Sequence, residues 1–137
     1  MMQKVEHIGI AVQNLKEAGN LYARLLGTEA YKKEVIESEK VTTMFFRVEE
    51  TKIELLEASA PDSVISKFIE KRGEGLHHVA FEVADIQKEM QRLKQEGFVL
   101  LNETPKAGAD NKLVCFVHPK TTHGVLIELC QEIKKHA

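Results

Sequence analysis

Two histidines and two glutamates carry the most pointed chemistry in this 137-residue chain. His7 and His78 each stand at the mouth of an apolar, strand-like run, "HIGIAV" and "HVAFEV". Glu54 and Glu128 are each centred in an Ile-Glu-Leu triplet. A carboxylate set among apolar neighbours cannot be buried ionised and unpaired without a large penalty. A divalent cation would satisfy both carboxylates. Imidazole and carboxylate donors together suit a borderline-to-hard ion with water in its open positions, such as Co, Mn, Ni or Zn. Nothing in the sequence chooses among them. Taken singly, a strand histidine is more often a surface or satisfied core residue, and a strand glutamate is usually solvated. These four rise above that background because they recur at matched places.

The recurrence shows when His7 is set over His78. Ile8 then falls on Val79, Ile10 on Phe81, Val12 on Val83, Asn14 on Asp85 and Leu15 on Ile86. Each segment reads as a strand running into a helix, with Asn14 and Asp85 as N-caps. The first helix carries Leu15, Ala18, Tyr22, Leu25 and Leu26 on one face and stops at Gly27. The second carries Ile86, Met90 and Leu93 and stops at Gly97. "VTTMFFRV" precedes "KIELLEA" as "KLVCFVH" precedes "LIELCQE", and "YKKEVIE" and "FVLLNE" supply the remaining strands. Between the halves, "PDSVISKFIEKRGEG" reads as a short helix burying Val64, Ile65, Phe68 and Ile69, followed by a glycine-rich hinge. The expected fold is α+β: one domain of two tandem βαβββ modules, at about residues 4–60 and 76–133, with a linker helix at about 61–75. The modules would form a curved mixed sheet around a central metal site, with the helices outside.

Strand parity then orients the candidates. Ile8, Ile10 and Val12 share one face and leave His7, Gly9 and Ala11 on the other. Val79, Phe81 and Val83 share a face with His77 and leave His78, Ala80 and Glu82 opposite. The bulky residues pack under the helices, so His7 and His78 point away from them beside small neighbours that leave room. His77 joins the packed face or its rim. The same alternation separates Glu54 from Ile53 and Leu55, and Glu128 from Ile127 and Leu129.

Composition narrows the field. A net charge of −2 leaves no basic surplus for nucleic acid, and the scattered lysines and arginines argue against a membrane surface. The start, "MMQKVEHIGIAV", breaks at "QNLKE" and reads as neither signal peptide nor membrane span. Cys115 and Cys130 lie in apolar runs and read as small buried thiols, which fits a reducing cytoplasm. His118 before Pro119 and His123 in "KTTHG" read as exposed or loop-ordering residues, and His136 lies in a polar tail.

Paired strand–helix–three-strand modules with this quartet resemble the vicinal oxygen chelate superfamily. Within it the chain most resembles the methylmalonyl-CoA epimerase family over nearly its full length. The motifs that carry the likeness are "HIGIAV", "KIELLEA", "KRGEGLHHVAFEV", "ETPKAGADNK" and "HPKTTHGVLIEL". The resemblance implies that His7, Glu54, His78 and Glu128 are metal ligands. It also implies that methylmalonyl-CoA is the substrate, inverted at C2 through a metal-stabilised enolate, in a homodimer. Inversion needs proton access to both faces of C2. The family is thought to use two carboxylates, one falling on Glu128 and the other on Thr43. Thr43 is a departure, because its hydroxyl is a poor base at neutral pH; Glu37, Glu39 or a metal-bound water stay open as the second carrier. Lys106 and Lys120 match basic positions of the family, where they would meet the substrate carboxylate or CoA phosphates; solvated lysines are the alternative.

Other readings remain. A glyoxalase I-type lyase acting on a thiol–methylglyoxal hemithioacetal can use the same ligand set, but "HPKTTHGVLIEL" and "KRGEGLHHVAFEV" resemble the epimerase. Ring-cleaving dioxygenases and fosfomycin-type transferases use two histidines and one glutamate, so Glu54 counts against them. A metal-free binding module of this fold would fill the ligand positions with apolar or unrelated residues.

Overall fold

Asn14 and Asp85 mark the places where side-chain periodicity changes from two to nearly four, and each turns a strand into a helix. In the computed structural model, which describes residues 1–133, the Asn14 side chain accepts from the Glu17 amide at 3.0 Å. The Asp85 side chain accepts from the Lys88 amide at 3.1 Å. Both satisfy donors that the first helical turn leaves free. A second side chain closes each turn from the last strand of the same half. Glu57 accepts from the Leu15 amide at 3.2 Å, and Gln131 from the Ile86 amide at 2.8 Å. Each lies three residues past the glutamate of its Ile-Glu-Leu triplet, so the repeat extends to how each helix is anchored.

The chain divides into two compact units, His7–His77 and Met1–Glu6 with His78 onward. The first unit takes β1 (Met2–Ala11) from His7, then α1 (Leu15–Leu26), β2 (Lys32–Ile36), β3 (Val41–Val48), β4 (Thr51–Ala58) and α2 (Val64–Arg72). Its sheet order is β2-β3-β4-β1, antiparallel except for the parallel pair β1 and β4. One face packs Val12, Leu15, Phe46 and Leu55 with Ile10, Ala18, Tyr22 and Leu26. Gly19 allows this approach, since a Cβ there would lie 2.7 Å from the Met44 sulfur. On the other face Ala11, Val41 and Leu56 meet Ile65, Phe68 and Ile69 of α2. Gly27 stops α1 at φ 72°, as expected of a left-handed cap. Two expected core residues are exposed instead, Leu25 at 69% and Val64 at 57%. Leu25 lies about 80° around the helix from Leu15, at the margin of the buried stripe. Val64 opens α2 and is turned about 100° away from buried Ile65.

The second unit takes β5 (Gly75–Val83) from His78, then α3 (Ile86–Gln95), β6 (Lys106–Gly108), β7 (Lys112–Val117) and β8 (Ile127–Glu132). Its strands run β5-β8-β7-β6, with β5 and β8 parallel and the rest antiparallel. Val83, Ile86, Met90, Leu93, Cys115, Val117 and Leu129 form its core under α3. The opposite face is built from Ala80, Val114 and Cys130 with Phe116. The architecture is therefore α+β, two βαβββ modules with a mixed sheet in each.

"FVLLNE" does not form the remaining strand. Leu100 makes only an isolated bridge to Val117, and Lys106–Gly108 supplies the edge. Asn102 explains the break. Its side chain accepts from the Phe116 amide at 3.0 Å and donates to the Thr104 carbonyl at 2.7 Å, replacing a backbone rung. Pro105 offers no N–H, and pairing resumes one residue later.

Glu89, buried on α3, is held by the Arg92 guanidinium at 3.0 and 3.1 Å and by the Met1 amine. These partners overcome the opposing effect of burial and lower its pKa from 4.5 to about 2. A depressed carboxyl stabilises the fold fully above its unfolded pKa, and that contribution is lost as pH falls from 4.5 toward about 2. Thermal unfolding should therefore drop across that window, and Arg92→Ala should lower the midpoint at pH 7 while flattening the drop. No helix among the described residues is long and apolar enough to cross a membrane. His136 lies outside the described residues.

Candidate active site

In the first unit His7 comes from β1 and Glu54 from β4, both buried at 6% and 4% exposure. The parallel register sets Gly9, two residues after His7, opposite Glu54. Gly9 is buried and puts no side chain between His7 and Glu54 on the face turned from α1. His7 Nε2 lies 3.4 Å from Glu54 Oε1. Phe45 on β3 pairs with Glu54 from the other side.

The second unit repeats the arrangement residue for residue. His78 on β5 and Glu128 on β8 are 4% and 5% exposed, and His78 Nε2 lies 3.6 Å from Glu128 Oε1. Ala80, two residues after His78, is opposite Glu128, and Phe116 flanks that glutamate as Phe45 flanks Glu54. The His78 ring meets Phe116 edge-on, with centroids 6.1 Å apart. Strand parity thus sets His7 on the face of Gly9 and Ala11, and His78 on the face of Ala80.

These pairs fit a metal. Two donors each about 2.1 Å from one cation, at octahedral to tetrahedral angles, lie roughly 3.0–3.4 Å apart. Separations of 3.4 and 3.6 Å match that spacing better than a charge-assisted hydrogen bond, for which about 2.7–2.9 Å is usual. The donor set, imidazole nitrogen plus carboxylate oxygen in an apolar surround, is suited to a divalent ion.

Lys106 also reaches the site face of its unit. It pairs with Val114, which pairs with Cys130, and cross-strand partners project to one side. Its Nζ lies 5.7 Å from the Phe116 ring centroid. Lys120 does not join it, being exposed in the 3-10 turn Pro119–Thr121. His118 caps that turn, its Nδ1 accepting from the Lys120 amide at 3.1 Å, the loop-ordering role expected of it. His123 is exposed with φ 57°. His77 packs edge-on against Phe68 of α2, with centroids 4.9 Å apart. Cys115 and Cys130 are fully buried, and burial pushes both thiols up, Cys130 strongly, so they stay protonated.

Thr43 is 1% exposed and shares the face of Glu54, two residues from Phe45. Its hydroxyl donates to the Glu34 carbonyl at 3.4 Å. Glu37 and Glu39 lie in a 3-10 turn beyond the Ile36–Val41 rung, away from the rungs that carry Thr43 and Glu54. Glu34, which sequence reading passed over, pairs directly with Thr43. Only the hairpin register reveals it.

Residues 6–116 match the family described as the Glyoxalase/Bleomycin resistance protein/Dioxygenase superfamily. The chain is 40% identical over 133 residues to the ethylmalonyl-CoA/methylmalonyl-CoA epimerase of Cereibacter sphaeroides, spanning 96% of this chain and 99% of that one. It is 38% identical over 130 residues to the uncharacterized protein YqjC of Bacillus subtilis, spanning 95% and 93%. The methylmalonyl-CoA epimerase of Streptomyces coelicolor, solved with 2-nitronate-propionyl-CoA, superposes with a TM-score of 0.94 at 31% identity, over 98% of this chain and 100% of that one.

Proposed function

From the premise that the chain belongs to the glyoxalase/bleomycin resistance protein/dioxygenase superfamily and, within it, to the methylmalonyl-CoA epimerase family, we propose that it interconverts (R)- and (S)-methylmalonyl-CoA. His7, Glu54, His78 and Glu128 serve as ligands of a divalent cation. The observation that carries the reading is the duplicated pair. Each half buries one imidazole and one carboxylate 3.4 or 3.6 Å apart, with a glycine or alanine as the glutamate's cross-strand partner.

A divalent cation held by these residues would supply Lewis acidity toward the thioester oxygen, where negative charge builds as C2 loses its proton. The residues do the rest. Glu128 takes or delivers a proton at one face of C2, and it is buried beside His78 and Phe116. Lys106, a cation on the same face, meets the substrate carboxylate or a CoA phosphate. Phe45 and Phe116 flank the two glutamates with apolar surface and exclude water from them.

The test is metal content together with C2 exchange. The purified protein should hold about one divalent ion per chain and should exchange the C2 proton of methylmalonyl-CoA into heavy water. Chelation should stop that exchange, and adding the ion back should restore it. Turnover of a thiol–methylglyoxal hemithioacetal without C2 exchange would assign the site to a glyoxalase-type lyase instead. Exchange that survives complete removal of the ion would overturn the role given to the metal.

A further inference from the structure

Inversion at C2 needs one proton carrier for each face of the carbon, and Glu128 accounts for one. The position where the resemblance calls for the other holds Thr43, a hydroxyl that cannot act as a base at neutral pH. We propose that Glu34 is the second proton carrier, reaching across Thr43 from the edge strand; this deepens the epimerase reading and rests on it.

The register places it. Glu34 is opposite Thr43, which is opposite Leu56; one step along, Lys32 is opposite Phe45, which is opposite Glu54. Cross-strand partners project to the same side, so Glu34 shares the face that carries His7 and Glu54. Neighbouring strands are about 4.8 Å apart, a gap that an extended glutamate side chain spans. Thr43 is a short side chain, buried at 1% exposure, whose hydroxyl is tied to the Glu34 carbonyl.

The repeat supports the assignment independently. In the second half Lys106 is opposite Val114, two residues before Phe116, which is opposite Glu128. Glu34 is opposite Thr43, two residues before Phe45, which is opposite Glu54. The two edge-strand positions are thus equivalent, one carrying an acid and the other a base. An anion-binding lysine in one half and a proton-carrying glutamate in the other divide the work that inversion of a charged thioester requires.

The surroundings suit the role. Lys32 Nζ lies 3.4 Å from Glu34 Oε1 and holds the carboxylate in place. The Glu34 side chain is 30% exposed, so a proton it takes up can pass to water. In one direction the C2–H bond breaks, its proton passes to the Glu34 carboxylate, and the electron pair moves into the enolate. The Glu128 carboxylic acid then delivers its proton to the opposite face of C2. Glu34 ends protonated and Glu128 ionised; exchange with water, or a turnover in the reverse direction, restores the starting state.

The experiment separates exchange from inversion, using metal-replete protein and each epimer of methylmalonyl-CoA in heavy water. Glu34→Gln should lower inversion by about a hundredfold or more. It should still exchange the C2 proton, with retention, in the one epimer whose proton faces Glu128. Glu34→Asp should recover part of the inversion, and thermal unfolding should show both variants folded. Inversion by Glu34→Gln within about threefold of the unaltered protein would overturn the proposal. An equal fall in the exchange of both epimers would overturn it too, by marking Glu34 as structural. If the unaltered protein exchanges neither epimer, the epimerase reading itself fails and takes this inference with it.

Discussion

Glu128→Gln is expected to cut inversion by about a thousandfold, within the range of about 10²–10⁴ that positioned acid–base groups supply. The substitution keeps the shape of a side chain that is 5% exposed, so the fold should persist. It removes the charge and the ability to accept a proton from carbon. The matched substitution Glu54→Gln isolates one function from the other. Glu54 occupies the equivalent position, 3.4 Å from its histidine, but is proposed only as a ligand. Both variants should bind the ion more weakly, measured as metal per chain after dialysis. Saturating metal should then rescue most of the activity of Glu54→Gln and little of that of Glu128→Gln. If metal rescues the two equally, Glu128 is a ligand and nothing more.

The reason these side chains were legible in the sequence is the duplication. One histidine before an apolar run says little, but two at corresponding positions, each matched with an Ile-Glu-Leu triplet, define a register before any coordinates exist. The register bears this out, since each glutamate lies opposite the second residue after its histidine. Parity also separated His77 from His78, because a period of two admits no other outcome.

What stayed hidden depended on side chains that imitate backbone and on turns that set hairpin register. Asn102 satisfies the Phe116 amide with its side chain, so an apolar run that reads as a strand is cut to a single bridge and a less strand-like Lys-Ala-Gly takes the edge. Glu34 was obscured by distance along the chain. Glu37 and Glu39 are nearer Thr43 in sequence, but they occupy the 3-10 turn that closes the hairpin, with Lys40 at φ 55°. The strand therefore folds back to set Thr43 against a residue nine positions earlier. Local propensity does not specify where such a turn begins.

Phe46→Ala tests the division of faces from the opposite side. Phe45 and Phe46 are adjacent, 1% and 0% exposed, and face opposite ways. Phe45 pairs with Glu54 on the site face, whereas Phe46 pairs with Ile53 and packs with Val12, Leu15 and Leu55 beneath α1. Truncating Phe46 leaves a void against both strand and helix, a loss of about 3–5 kcal/mol. In a chain of this size that lowers the unfolding midpoint by roughly 10–20 °C. Because nothing on the site face changes, turnover per folded molecule, measured well below the new midpoint, should stay within about twofold of the original. The same truncation at Phe45 should cost comparable stability and also reduce turnover, since it removes the apolar wall beside Glu54. A loss of turnover at Phe46 as large as that at Phe45 would mean that the two faces are coupled, and that the sheet transmits core packing to the site.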